Sequence, residues 1–187
     1  MRRAAVVMFV GFVALAGWAC RQGAVQTAKA SPVERGEYLV TAMGCNDCHT
    51  PWKLGMKGPE PDMTRMLSGH PEGVQVGAAP SLAPPWGMAG SLTNTAWAGP
   101  WGVSFSANLT SDPETGVGAW DEATFIAAMR SGQHLGGGRP ILPPMPWPFT
   151  GKLTDEDLKA VFAYLKSVPP IRNKVPEPLP PAAAPSL

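Results

Sequence analysis

Almost no net charge is present in this 187-residue chain, which sets 15 Lys+Arg against 14 Asp+Glu. Without a basic surplus it has no electrostatic means of gripping phosphates, so a charge-driven nucleic-acid binder is excluded. Charge is scarce altogether, at 16% of residues, while 44% are hydrophobic. The chain is therefore neither a disordered acidic tail nor a coiled coil. Cysteine is scarce too, with three residues; that number is too small and too odd for a disulfide-rich scaffold, so spacing carries the information. Convincing runs of alternating apolar and polar residues are also missing, which leaves an all-α reading with long loops.

Glycine and proline are plentiful, at 21 and 22 residues. They concentrate in 51–105, in 136–151 and beyond Val168, so regular structure is expected between those stretches. The N-terminus has the form of an export signal: Arg2 and Arg3, an uncharged and mostly apolar run from Ala4 to Ala19, then small residues. The run is shorter than the roughly 20 residues that span a bilayer comfortably, so an uncleaved anchor ranks second to a cleaved leader. Two processing sites compete. Ala28-Lys29-Ala30 has the small-x-small form of a peptidase site, and Ala19-Cys20 resembles a bacterial lipoprotein site, although Gly17 and Trp18 depart from that pattern. The expected location is the bacterial periplasm, free or tethered through the leader or a lipidated Cys20. Residues 1–30 are thus a leader or anchor, and the chemistry begins near Ser31.

Three helices are legible. Ser31-Pro32-Val33-Glu34 combines a serine N-cap, a first-turn proline and a capping-box glutamate. The helix then carries Tyr38, Leu39, Ala42 and Met43 on one face and stops at Gly44. A second is expected from Asp121 to Arg130, with Gly132 just beyond its end. A third runs from Thr154 to Ser167, with three acids in its first turn and Leu158, Val161, Phe162 and Leu165 as its buried stripe. After Ile171 the Pro-rich tail has little to bury and is expected to be extended or disordered.

Cys45-Asn46-Asp47-Cys48-His49 is the one dense cluster of metal-capable side chains. Its C-x-x-C-H form is the attachment sequence for c-type haem. Two cysteines with this spacing at a helix end reach both vinyl groups of one porphyrin as thioethers and place the next imidazole beneath the iron. A C-x-x-C redox pair would need an alternating strand and helix pattern, and a structural zinc site would need a second ligand pair that Cys20 cannot supply. On the other face of an iron held by His49, the best candidate ligand is Met145. It sits in Pro143-Pro144-Met145-Pro146-Trp147-Pro148, a loop stiffened by proline that lowers the cost of ordering a weak thioether ligand. His134 follows a helix end and is a rival ligand, with a solvated or propionate-side position the alternative. His70, in Ser-Gly-His-Pro, is expected to be exposed. Arg139, beside the ligand loop, is a candidate partner for a haem propionate, and Trp120 or Trp147 could donate an indole N–H to the same end.

Gly36-x-Tyr38-Leu39, the Cys45–Pro51 segment, Asn108-Leu109-Thr110, the Gly-Arg-Pro-Ile-Leu-Pro-Pro-Met145-Pro segment and Leu153–Leu165 together resemble the class I, single-haem cytochrome c family. The resemblance covers about 36–50 and 105–170. It implies a small helical fold in which the first and last helices cross, with Gly36 admitting the face that bears Val161, Tyr164 and Leu165. It also implies one haem c bound through Cys45 and Cys48, His49 and Met145 as axial ligands, and single-electron transfer to and from redox partners such as a dehydrogenase, an oxidase or another cytochrome. The chain departs from the family in the distance from His49 to Met145, so 51–105, with Trp52, Trp86, Trp97 and Trp101, reads as an insertion within a haem domain of 31–170. It is expected to be apolar cover for the haem edge or, alternatively, a docking surface. The competing functions are the cytochrome subunit of a membrane-bound dehydrogenase or oxidase, a peroxidase, which needs an open iron or a second haem, and a gas sensor, which needs Met145 unbound.

Overall fold

The computed structural model describes residues 30–181. The expected leader and Cys20 lie outside the described residues. Among those residues, no helix is long and apolar enough to cross a membrane.

Helix α1, Pro32–Ala42, begins as its sequence dictates. The Ser31 hydroxyl accepts from the Glu34 N–H while the Ser31 N–H donates to the Glu34 carboxylate at 2.8 Å. The chain leaves α1 through Gly44 at φ 68°, a left-handed turn that costs glycine little, and enters the one-turn helix α2, Cys45–His49. Two later helices match expectation closely. Asp121 caps α3, Glu122–Ser131, and Thr154 caps α5, Asp155–Ser167; between them lies the short α4, Trp147–Thr150. Leu158, Val161, Phe162 and Leu165 are all buried, and Phe125 of α3 stacks on Phe162 at 5.3 Å.

Helices α1 and α5 cross at Gly36. A Cβ built there would stand 2.0 Å from the Ala160 carbonyl oxygen and 2.7 Å from the Tyr164 Cβ. The close approach is the one expected, with Tyr164 in it, but its tightest point is the backbone of Ala160 rather than the side chain of Val161. Leu39 and Val40 of α1 join the α3 and α5 residues in one core. An Arg35–Asp157 ion pair at 2.8 Å closes the exposed edge of the crossing.

The helical core is as expected, but the 51–105 stretch carries strands that no alternating pattern announced. Strands β1, Trp52–Gly55, and β2, Gly58–Pro61, form one antiparallel hairpin. A second small sheet has the order β3-β4-β5, with β3 at Ala89–Gly90, β4 at Ala96–Gly99 and β5 at Gly102–Phe105. Each strand contains glycine and is two to four residues long, too short for a period of two to register. Pro59 and Pro61 are tolerated because β2 has a partner on one side only.

One further expectation is corrected and another narrowed. His70 is fully buried rather than exposed. Both ring nitrogens are engaged, Nδ1 with the Thr95 hydroxyl at 2.9 Å and Nε2 with the Val74 carbonyl at 3.0 Å, and the ring packs on Phe105. A histidine so satisfied loses nothing by burial. The tail, as far as residue 181, runs extended, one of the two forms expected, and is docked rather than disordered. Asn173 is buried; its Nδ2 donates to the carbonyls of Ser68 and His70 at 2.7 and 2.9 Å, and its Oδ1 accepts from Arg65 and the Glu72 N–H. Leu179 then pairs with Val103 of β5 through two backbone hydrogen bonds of 2.9 Å. A Pro-rich segment cannot form its own regular structure, yet it can be held at two points by groups that other elements leave unpaired.

Candidate functional site

The C-x-x-C-H motif forms α2, so Cys45, Cys48 and His49 are placed by one helical turn. Cys45 packs against the hydrophobic core and Cys48 lines the adjoining cavity, both as free, partly buried thiols. Burial pushes the Cys45 thiol up to about 11, and burial followed by the Asp47 charge raises Cys48. Both are neutral in the unmodified polypeptide.

His49 is buried, and its Nδ1 lies 2.8 Å from the Ala107 carbonyl. A carbonyl only accepts, so Nδ1 carries the proton and Nε2 keeps its lone pair. Burial lowers the pKa of this imidazole, which keeps it neutral and fit to bind a metal. Thr50 supports the turn from behind: its hydroxyl donates to Asn46 and accepts from the Leu67 N–H.

The cavity into which His49 faces measures about 750 Å³. Leu109, Val117, Phe125, Met129 and Ile141 give it apolar walls, and Met145 lines it together with His49 and Cys48. Arg139 and His134 line it as well. Arg139 is paired with Glu177 at 3.3 Å across an exposed surface, a contact weak enough to exchange for another carboxylate. His134 stands edge-on to Trp120, and burial lowers its pKa. Of the two tryptophans considered for a propionate, Trp120 lines the cavity; Trp147 packs instead against Gly132 at the end of α3.

Two further walls come from outside the helical core, the first of them from the stretch expected to cover the haem edge. From the 51–105 stretch come Trp97 and Ser104, and Trp97 has a buried Nε1 with no partner among the described residues. The second wall is the tail, where Lys174, Val175, Pro176, Glu177 and Pro178 run along the cavity between the anchors at Asn173 and Leu179. The low-complexity tail carries no motif, so only the fold brings it here, whereas Trp97 lies in the stretch expected as apolar cover.

A large apolar chamber, the Cys48 thiol at its edge with Cys45 one helical turn away, an imidazole nitrogen with a free lone pair and a thioether together fit a haem bound through thioethers. Among the described residues, no group of three or more His, Cys, Asp or Glu side chains comes together, as a zinc site would require. Residues 33–169 match the protein family described as Cytochrome c. The chain belongs to the cytochrome c family.

A cytochrome c of this kind carries haem c, with its iron, covalently bound through Cys45 and Cys48 of the C-x-x-C-H motif. Several relatives are subunits of dehydrogenases. A nicotinate dehydrogenase subunit of Pseudomonas putida is 38% identical over 107 residues, 56% of this chain and 9% of that protein. The cytochrome c subunit of gluconate 2-dehydrogenase from Pantoea cypripedii is 32% identical over 132 residues, 71% of this chain and 22% of that protein. The cytochrome c subunit of the quinone alcohol dehydrogenase of Gluconobacter oxydans is 29% identical over 155 residues, 81% of this chain and 25% of that protein. This cytochrome c chain thus spans a quarter or less of the length of these relatives.

Proposed function

We propose that this cytochrome c is an exported electron-transfer protein that passes single electrons to and from a dehydrogenase, with His49 and Met145 as the axial ligands of its iron. The observation that carries the reading is the shared chamber: His49, with Nε2 free, and Met145 line one apolar cavity beside Cys48. Haem c supplies a one-electron iron couple when bound. His49 holds its ligating nitrogen unprotonated because Ala107 takes the other proton. Met145 offers a thioether from a proline-stiffened loop, which would favour the reduced iron and leave no open position for a peroxidase's or gas sensor's substrate. Leu109, Val117 and Phe125 line the cavity with apolar surface that would exclude water from the bound group. Arg139 is available to a propionate in place of Glu177.

The dehydrogenase partner is supported by the relatives' names, which favour a subunit of a larger oxidoreductase over a free shuttle. Such a protein carries electrons and turns over no substrate of its own. The ligand assignment is tested by the absorption spectrum of the oxidised holoprotein. It should show the weak red charge-transfer band of iron to thioether sulfur, and Met145→Ala should abolish it. A band absent from the wild type, or one that survives Met145→Ala, refutes Met145 as the ligand.

A further inference from the structure

The backbone of the Met145 loop is poor in hydrogen bonds of its own. Pro143, Pro144 and Pro146 have no N–H to donate. The loop is tied at its start, where the Ile141 N–H donates to the Gly132 carbonyl at 2.8 Å, and the Met145 N–H makes only a long contact of 3.3 Å to the Leu142 carbonyl. Beyond Met145 the Pro146 carbonyl accepts from the Phe149 and Thr150 N–H groups of α4 at 3.0 and 3.2 Å. On the side before it, among the described residues, the tie from outside the loop is the Ser104 hydroxyl, which donates to the Pro143 carbonyl at 2.5 Å.

Ser104 is well built for this task. It lies in β5 opposite Trp97 of β4, it is buried, and its other acceptor among the described residues is the Trp97 carbonyl at 3.4 Å. The hydroxyl proton therefore goes to Pro143. A sheet position is stiff because cross-strand hydrogen bonds hold its backbone, so the tie sets the apex from a rigid element. Ser104 and Trp97 also line the cavity that Met145 lines, so this sheet is a wall of the site as well as its brace.

We infer that Ser104 is a positioning residue for the haem's thioether ligand: the small β3-β4-β5 sheet holds the Pro143 carbonyl so that Met145 stays within reach of the iron. The inference rests on Met145 being the ligand, and it gives the 51–105 stretch a role beyond apolar cover. A ligand as weak as a thioether competes with any base that enters the pocket, so the tie is expected to appear as resistance to displacement. Loosening the loop raises the affinity of an outside ligand by the lost hydrogen bond, between about two- and tenfold.

The test is a titration of the oxidised holoprotein with imidazole, followed by loss of the red band. Ser104→Ala should bind imidazole two- to tenfold more tightly with a weakened or shifted band, Ser104→Thr should restore wild-type behaviour, and Ser68→Ala, at a buried serine outside the cavity lining, should leave both readings unchanged. Equal imidazole affinity and an unaltered band in Ser104→Ala overturn the inference, as does an equal effect from Ser68→Ala. If Ser104→Ala fails to retain haem, Ser104→Cys keeps the volume with a weaker donor; it should bind imidazole more tightly than wild type, and equality again overturns the inference. Failure of the ligand assignment looks different, because the band is then missing from the wild type or survives Met145→Ala.

Discussion

Replacing Gly36 with alanine separates two effects of opposite sign. Alanine in a helix interior is more favourable than glycine by about 1 kcal/mol, so α1 alone gains from the change. At this crossing the added methyl meets the Ala160 carbonyl oxygen at 2.0 Å, its carbon at 2.6 Å and the Tyr164 Cβ at 2.7 Å. These distances fall roughly 1–1.5 Å short of the carbon contact distance of about 3.5 Å. Two of the three atoms are backbone and cannot rotate away, so α1 and α5 must move apart along a buried seam. Overpacking of this kind costs about 1–3 kcal/mol, and backbone obstruction puts it at the top of that range. The net expectation for Gly36→Ala is a loss of about 2 kcal/mol, or roughly 8 °C in Tm for a domain of this size. Guanidinium chloride unfolding of the holoprotein, followed by far-UV circular dichroism, measures it as a lower midpoint at unchanged slope. Tyr164→Ala in the same background should not rescue it, because the Ala160 carbonyl remains. A Gly36→Ala protein as stable as the wild type, or more stable, refutes the crossing as described.

Truncating Asn173 to alanine strips donors from the buried Ser68 and His70 carbonyls, at about 1–3 kcal/mol each. The tail should open, and trypsin should cut after Arg172 or Lys174 at least thirtyfold faster than in the wild type; an unchanged rate refutes the docking. Burial lowers the His70 pKa, so the folded state releases a proton that the unfolded chain keeps. That stability is fully present above the unfolded value of about 6.5 and declines as pH falls from there toward the lower folded pKa. His70→Gln should flatten the decline in unfolding free energy between about pH 7 and 5; identical slopes refute the assignment.

Much of the site was readable because short-range chemistry specified it. The C-x-x-C-H motif needs only five consecutive residues, and the caps Ser31, Asp121 and Thr154 act within three residues of themselves, as their observed hydrogen bonds show. His70 could not be read in this way. Its burial depends on Thr95, Phe105 and Asn173, all distant in sequence, and the same Ser-Gly-His-Pro on a free loop would be exposed. The five strands escaped notice for a related reason: each is short and is held by its partner, so no alternating pattern announces it.

What the sequence determined by itself is the cofactor chemistry and the helices that frame it, since thioether spacing, capping and helical periodicity are local properties. The tertiary structure alone decided which distant groups complete the pocket: Ala107 to set the His49 tautomer, Ser104 from a small sheet, and a tail pinned by Asn173 as the outer wall. These choices turn on unpaired polar groups and apolar surface that come together only once the chain has folded, and composition cannot encode where they meet.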